Sequence, residues 1–224
     1  MTIPLDVPIR LDINNIESLR AVSRQVVRTV HERDHHTCRC CGFRSTKYQQ
    51  VLNLGSNWRD IDTITTACIF CQQCFALDSA ARMRSGVLVT FPEVEQADLN
   101  RLAVEIYVAR ISQNQDAAQQ AGACLELLMR KREATRGLLG TDTPQGLAEL
   151  LHEGERGARQ ASFDRKLTGV RLLPLDRRIM REAQLEFNQF PQILAFWRSS
   201  YGPYPLSGGH GSFLRLEQFA KTHL

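Results

Sequence analysis

Six of the chain's seven cysteines fall in two short clusters, and this constrains the fold more than any other feature of the 224 residues. The first cluster reads Thr37-Cys38-Arg39-Cys40-Cys41-Gly42 and the second Ala67-Cys68-Ile69-Phe70-Cys71-Gln72-Gln73-Cys74. Two residues separate Cys38 from Cys41 and Cys68 from Cys71, and 26 residues lie between the pairs. A two-residue spacer lets a tight turn aim two thiolates at one metal, and Gly42 relieves the backbone after Cys41. Two such knuckles supply the four ligands of a tetrahedral ion, so the spacing predicts a structural Zn(2+) held by Cys38, Cys41, Cys68 and Cys71. A site closed by four thiolates has no position for an activated water. Cys71 and Cys74 are a second pair with valid spacing, which makes Cys74 the alternative ligand to Cys68. The Cys68/Cys71 pair is favoured because knuckle pairs usually precede the helix they feed. Cys40, adjacent to Cys41, is expected to point away, and Cys124, among apolar residues, is expected in a core.

Composition decides how the thiols are read. The chain is 43% apolar and 23% charged, enough to bury a core, with net charge +4. That balance falls short of a dedicated basic face for nucleic acid. Of the 28 basic residues only four are Lys, and Arg suits forked pairing and interfaces. Met1-Thr2-Ile3-Pro4-Leu5-Asp6 has neither the basic start nor the apolar run of a secretory signal, and no stretch reaches the roughly 18 apolar residues of a membrane span. The expectation is a cytosolic protein with reduced thiols, in which clustered cysteines favour metal over disulfide.

Periodicity places the clusters. Val7, Ile9, Leu11 and Ile13 alternate as a strand, and Asn14-Asn15 caps a helix running from Ile16 to about Glu32. Tyr48 to Leu54 is a strand, Gly55-Ser56-Asn57 a turn, and Ile64 to Ala67 leads into the second cluster. Cys71 to Arg84 reads as one helix, stopped by Ser85-Gly86, and Val87 to Phe91 as a strand closed by Pro92. Beyond it, Leu99, Leu102, Ile106, Tyr107 and Ile111 form an apolar helical stripe, and Ala118, Ala121, Leu125 and Leu128 another. Leu138-Leu139-Gly140 ends a helix, and Thr143-Pro144 starts the next. The stretch 154–169 reads as a loop with room for one helical piece. Asp176 caps a helix through Phe187, and Pro191 to Arg198 forms a short one carrying Trp197. The fold class is α+β, mainly helical, with a zinc module embedded in a helical body. Its parts are 1–92, the strand, helix and module; 93–200, the body; and 201–224, a turn-rich tail open to motion.

Arg33-Asp34, Thr37-Cys38-x2-Cys41-Gly42-Phe43-Arg44-Ser45, Lys47-Tyr48-Gln49-Gln50-Val51 and Thr66-Ala67-Cys68-x2-Cys71 together resemble the HNH endonuclease pattern with its additional four-cysteine zinc. The resemblance implies a ββα module. It also implies a His pair after Val51, where this chain has Leu52 and Asn53, and a His after the second knuckle, where it has Gln72. Leu52 can neither bind a divalent metal nor take a proton, and Asn53 and Gln72 cannot accept a proton at pH 7. His35 and His36 precede the first knuckle and read as exposed loop residues. The expectation is a non-enzyme.

A narrower likeness rests on Lys47-Tyr48-Gln49, Ala67-Cys68-x2-Cys71-x2-Cys74-Phe75 and Ser85-Gly86-Val87-Leu88-x3-Pro92-Glu93. Over about residues 30 to 112 the chain resembles the IcmJ (DotN) family of Dot/Icm type IVB secretion systems. That resemblance implies a cytoplasmic, zinc-bearing, catalytically dead subunit, peripheral at the inner membrane. It also implies a place in the coupling complex, on the C-terminal extension of the coupling ATPase DotL, with DotM, IcmS and IcmW, serving effector recruitment. The interface candidates are the helices after Pro92 and the segment Arg171 to Arg181, the latter set against a plain solvated face. The competing class is an HNH-derived nuclease or nucleic-acid binder, using Arg33, Arg39, Arg44 and Lys47 on phosphates. The interleaved Glu32 and Asp34 and the small net charge weigh against it. A thiol redox protein lacks its βαβ setting.

Overall fold

The computed structural model describes residues 22–55, 58–154, 167–205 and 213–224, and the side chains of 152–154 are not among those described. The expected strand at Val7 to Ile13 and its Asn14-Asn15 cap lie outside these residues. Helix α1 spans Arg24–Arg33 and opens where the Ser23 Oγ accepts from the Val26 N–H at 3.2 Å. Its start at Arg24 is therefore later than the Ile16 start that the spacing predicts. Val30 on α1 packs on Val51 and Ile64 in a small apolar cluster of its own. After α1, His35 and His36 take positive φ angles of 51° and 52°, which swing the chain into the first knuckle.

Strands β1, Gln49–Asn53, and β2, Ile64–Cys68, pair antiparallel with Gln49 opposite Cys68. Helix α2, Ile69–Cys74, follows β2 without a loop, so β1, β2 and α2 form a ββα unit. The single helix expected from Cys71 to Arg84 is broken. Phe75 and Ala76 separate α2 from α3, Leu77–Arg82, because Ala76 leaves helical geometry at φ −142°.

Strand β3, Gly86–Thr90, pairs antiparallel with β4, Val170–Pro174. This pairing joins the ends of what the sequence divides at residue 92. A Cβ on Gly86 would stand 2.8 Å from Leu172 Cδ1, so a larger residue there would have to displace the Leu172 side chain. Between them run α4, Gln96–Arg110; α5, Gln115–Arg130; α6, Arg132–Leu139; and α7, Pro144–Gly154. Helix α4 is buried on nearly every face, not along one stripe, which makes it the axis of the body. Asn114 Oδ1 caps α5 through the Ala117 N–H, and Gly140 ends α6 in the left-handed conformation at φ 76°. Thr143 Oγ1 caps α7 through the Gly146 N–H, as Thr143-Pro144 predicts.

The segment expected as a helix from Asp176 to Phe187 is a hairpin of β5, Ile179–Glu182, and β6, Leu185–Asn188. Tertiary bonds override the local pattern: Ile179 N–H donates to Met83 O, and Asn188 Oδ1 accepts from the N–H groups of both Arg178 and Phe190. The arginines of this segment find partners within the chain, although Arg177 and Arg181 stay exposed. Arg171 bonds the Val94 and Val170 carbonyls, Arg177 bonds Arg84 O, Arg178 is buried, and Arg181 pairs with Glu186. Helix α8, Phe190–Arg198, carries Trp197 into the core as expected. Residues 201–204 of the tail are turns and bends, as expected, and its end is a helix, α9, Leu214–His223. Buried Glu105 on α4 holds it, its Oε2 accepting from the N–H groups of Arg215 and Leu216 at 2.9 and 3.1 Å.

Phe43 of the knuckle and Phe70 of α2 join Tyr107, Phe190 and Trp197 in one aromatic cluster, with ring centroids 5.2–6.3 Å apart. The architecture is mixed helix and sheet, mainly helical, with one apolar core running from the cysteines to α9.

Candidate metal centre

Backbone and carboxylate bonds bring the knuckles together before any metal is considered. Gly42 N–H donates to Cys38 O and Cys38 N–H to Phe43 O, both at 2.9 Å, closing the first knuckle as a tight turn. Gly42 sits at φ 72°, the left-handed region, as the spacing argument requires. Arg39 N–H then donates to Thr66 O at 2.9 Å, and Asp34 Oδ2 accepts from Thr66 N–H at 2.7 Å. Thr66 is two residues before Cys68, so both knuckles are zipped along β2. Arg33 clamps Asp34 through Nε at 2.9 Å and also reaches the carbonyls of Ile61 and Ile64. Gln49 donates its amide to the carbonyls of His36 and Phe43, bracing the turn from inside.

The sulfur atoms of Cys38, Cys41, Cys68 and Cys71 converge, all within 4.8 Å of one another. Cys41 and Cys68 are 3.7 Å apart. Tetrahedral zinc with bonds of about 2.3 Å needs sulfurs about 3.8 Å apart, so the cluster fits such an ion. Cys68 also caps α2, its Sγ accepting from the Cys71 N–H at 3.3 Å. Cys74, the alternative, lies outside the converging set. Its thiol donates to Phe70 O at 3.5 Å, and burial pushes it up to about 12. Cys40 is buried, but it too lies outside the converging set. Cys124 is core, as expected.

Electrostatics make the cluster a cation site. Hydrogen bonds from the thiols of Cys40, Cys41, Cys68 and Cys71 pull the Cys38 thiol well below its ordinary value. Burial, followed by bonds to Cys38 and Cys41, pushes Cys68 up, and thiol bonds led by Cys38 push Cys71 up. A divalent cation would deprotonate all four.

Sequence reasoning missed the polar chain behind the sulfurs. Asn100 of α4, fully buried, donates from Nδ2 to Cys71 Sγ at 3.2 Å and lies 3.8 Å from Cys74 Sγ. Its spacing from the cysteines carries no motif, and only the packing of α4 on α2 reveals it. The positions where a nuclease would carry histidine are otherwise engaged. Leu52 is core, and Asn53 Oδ1 accepts from Gly55 N–H and Thr63 Oγ1, both at 2.8 Å, to hold the turn after β1. Gln72 is buried in α2. His35 is exposed as expected. His36 is half-buried and stacks on His31 at 6.0 Å, and His31 Nδ1 lies 3.1 Å from Thr66 Oγ1.

Among the described residues no helix is long and apolar enough to cross a membrane. No family model matches the chain. Among curated proteins, the type 4 apparatus protein DotN of Legionella pneumophila (strain Philadelphia 1) is 30% identical over 152 residues, covering 65% of this chain and 70% of that protein. Identity at that level over that share, together with the four-cysteine cluster in a ββα unit, places the chain in the DotN (IcmJ) family of Dot/Icm type IV secretion proteins.

Proposed function

We propose that this protein is a non-catalytic subunit of a type IVB secretion coupling complex, held in shape by a structural zinc. Cys38, Cys41, Cys68 and Cys71 hold the ion. The protein works on the cytoplasmic side, peripheral to the inner membrane, on the C-terminal extension of a DotL-type coupling ATPase. DotM, IcmS and IcmW are its further partners, and effector recruitment is its task. One observation carries the reading: a closed set of four thiols stands beside a β1 strand whose Leu52 and Asn53 are spent on core and turn. Such a centre can staple a platform, but it offers neither an open metal position nor a base. Membership of the DotN family supports the secretion assignment.

Nucleic-acid binding is less well supported, because two of its four candidate cations are engaged. Arg33 is clamped to Asp34 and two carbonyls, and Lys47 lies over the Phe196 ring at 5.2 Å. The test is co-purification with the tail of the coupling ATPase, paired with incubation on DNA with magnesium or manganese. A stable complex and no cleavage are expected. Cleavage abolished by substitutions near Asn53, or salt-sensitive DNA binding without tail binding, would replace this reading with the nuclease-derived one.

A further inference from the structure

We propose that Asn100 is a positioning residue of the metal centre, and that with Gln96 it couples metal occupancy to the β3–β4 sheet. The inference rests on the zinc reading above. It begins at β4, where Gln96 acts as an extra strand: its Oε1 accepts from the Leu172 N–H and its Nε2 donates to Leu172 O, both at 2.8 Å. The backbone has one donor and one acceptor at Leu172, so it fixes which end of the Gln96 amide is which. The same Nε2 therefore faces Asn100, and the atom it meets at 3.0 Å must be the acceptor, Oδ1. That leaves the Asn100 Nδ2 pointing at Cys71 Sγ. The orientation is not a free choice of the carboxamide: the strand dictates it, and every amide in the series is spent in one direction.

A fully buried carboxamide without matched partners is costly, and an apolar residue would fill the same space between α2 and α4. What Nδ2 meets is sulfur. Cys71 as a protonated thiol is a weak acceptor, whereas as a metal-bound thiolate it is a strong, charged one. The donor is thus matched to the metal-loaded state. Donation to a ligand sulfur orients that ligand and stabilises its charge, the role that outer partners play around metal sites. Loss of the ion removes the charge that Asn100 serves. The strain then passes along one rigid chain of bonds to the Leu172 amide in β4, within the aromatic and aliphatic body.

The experiment uses the full chain, as wild type, Asn100→Leu, Asn100→Asp and Gln96→Leu. Zinc content is measured first, then zinc release to a chromogenic chelator, the sulfur-to-cobalt charge-transfer band after cobalt(II) substitution, and hydrogen exchange at the Leu172 amide. Asn100→Leu should weaken metal binding about tenfold and shift the cobalt band. Asn100→Asp sets a carboxylate against the thiolate and should weaken binding further. Gln96→Leu should keep the metal but lose the wild-type difference in Leu172 exchange between loaded and chelated protein. A wild type that folds without metal would defeat the zinc reading itself. A wild type with one zinc, alongside Asn100 variants with unchanged release and an unchanged cobalt band, would overturn the positioning role alone. Should the variants fail to fold, NMR of cadmium-113-loaded wild type decides: a scalar coupling between cadmium and an Asn100 Nδ2 proton is expected, and its absence at full occupancy overturns the proposal.

Discussion

The knuckle and the aromatic body are equally buried but hold together on different terms. In the body, Tyr107, Phe190 and Trp197 each lose apolar surface to water, so each contributes its own share. In the knuckle, Cys38, Cys68 and Cys71 line the same apolar core, but they are buried groups whose joint ionisation needs a single cation. The body should therefore fail by degrees and the knuckle all at once. Phe43 and Phe70 are where the two meet, since both come from the knuckle side and both pack on Trp197.

The strongest way to break this contrast is to remove a ligand. Cys41→Ser should abolish stable zinc binding and cost several kcal/mol, a part of the roughly 10–16 kcal/mol attributed to structural zinc, because metal binding there is folding free energy. A thermal melt with and without chelator checks it, and an unchanged curve would count against a metal-held knuckle. Trp197→Ala attacks the other side and should cost about 3–5 kcal/mol while zinc content stays at wild-type level. Simultaneous loss of zinc would mean that the two clusters are not separable.

Asp34→Asn sharpens the comparison, because Asp34 serves the knuckle without touching the metal. Removing its charge-assisted bonds to Arg33 and Thr66 should cost about 2 kcal/mol. Burial alone would raise the Asp34 carboxyl, but the bonds to Arg33 and Thr66 outweigh it and hold it below the ordinary 3.8. A depressed acid stabilises the fold above its unfolded value and loses that contribution as pH falls through the folded value. Wild type should therefore lose stability below about pH 4 through Asp34, and Asp34→Asn should lack that part of the loss in acid-unfolding curves.

Glu105→Gln is the smallest expected effect, about 1 kcal/mol or less, since one acceptor remains for the N–H groups that open α9. Burial raises the Glu105 carboxyl above the ordinary 4.5, although the N–H bonds and Arg215 pull the other way. A raised acid favours the folded state at low pH, so its contribution declines as pH rises through the folded value. Glu105→Gln should flatten the pH dependence of stability just above pH 4.5. An unchanged slope would show that Glu105 does not set it.

What the sequence made legible was local. The two-residue cysteine spacings place Cys38, Cys41, Cys68 and Cys71, Thr143-Pro144 marks a helix start, and Leu138-Leu139-Gly140 marks a helix end, because each depends on neighbours along the chain. What it hid was decided across the chain. The hairpin at Ile179 to Asn188 is anchored by the Met83 carbonyl, a partner that no window around the hairpin contains. Helix α9 is docked by Glu105, more than a hundred residues away. Asn100 resembles any other polar residue of a helix until α4 is laid against α2. The burial of Cys40 is likewise a property of the packed knuckle, which adjacency to Cys41 alone does not predict.

The central claim is a closed four-thiol metal staple, and X-ray absorption at the zinc edge on the purified protein tests it most directly. The account predicts one zinc per chain with four sulfurs at about 2.3 Å and no nitrogen or oxygen neighbour. A folded, metal-free protein, or a zinc with an oxygen in its shell, would contradict it.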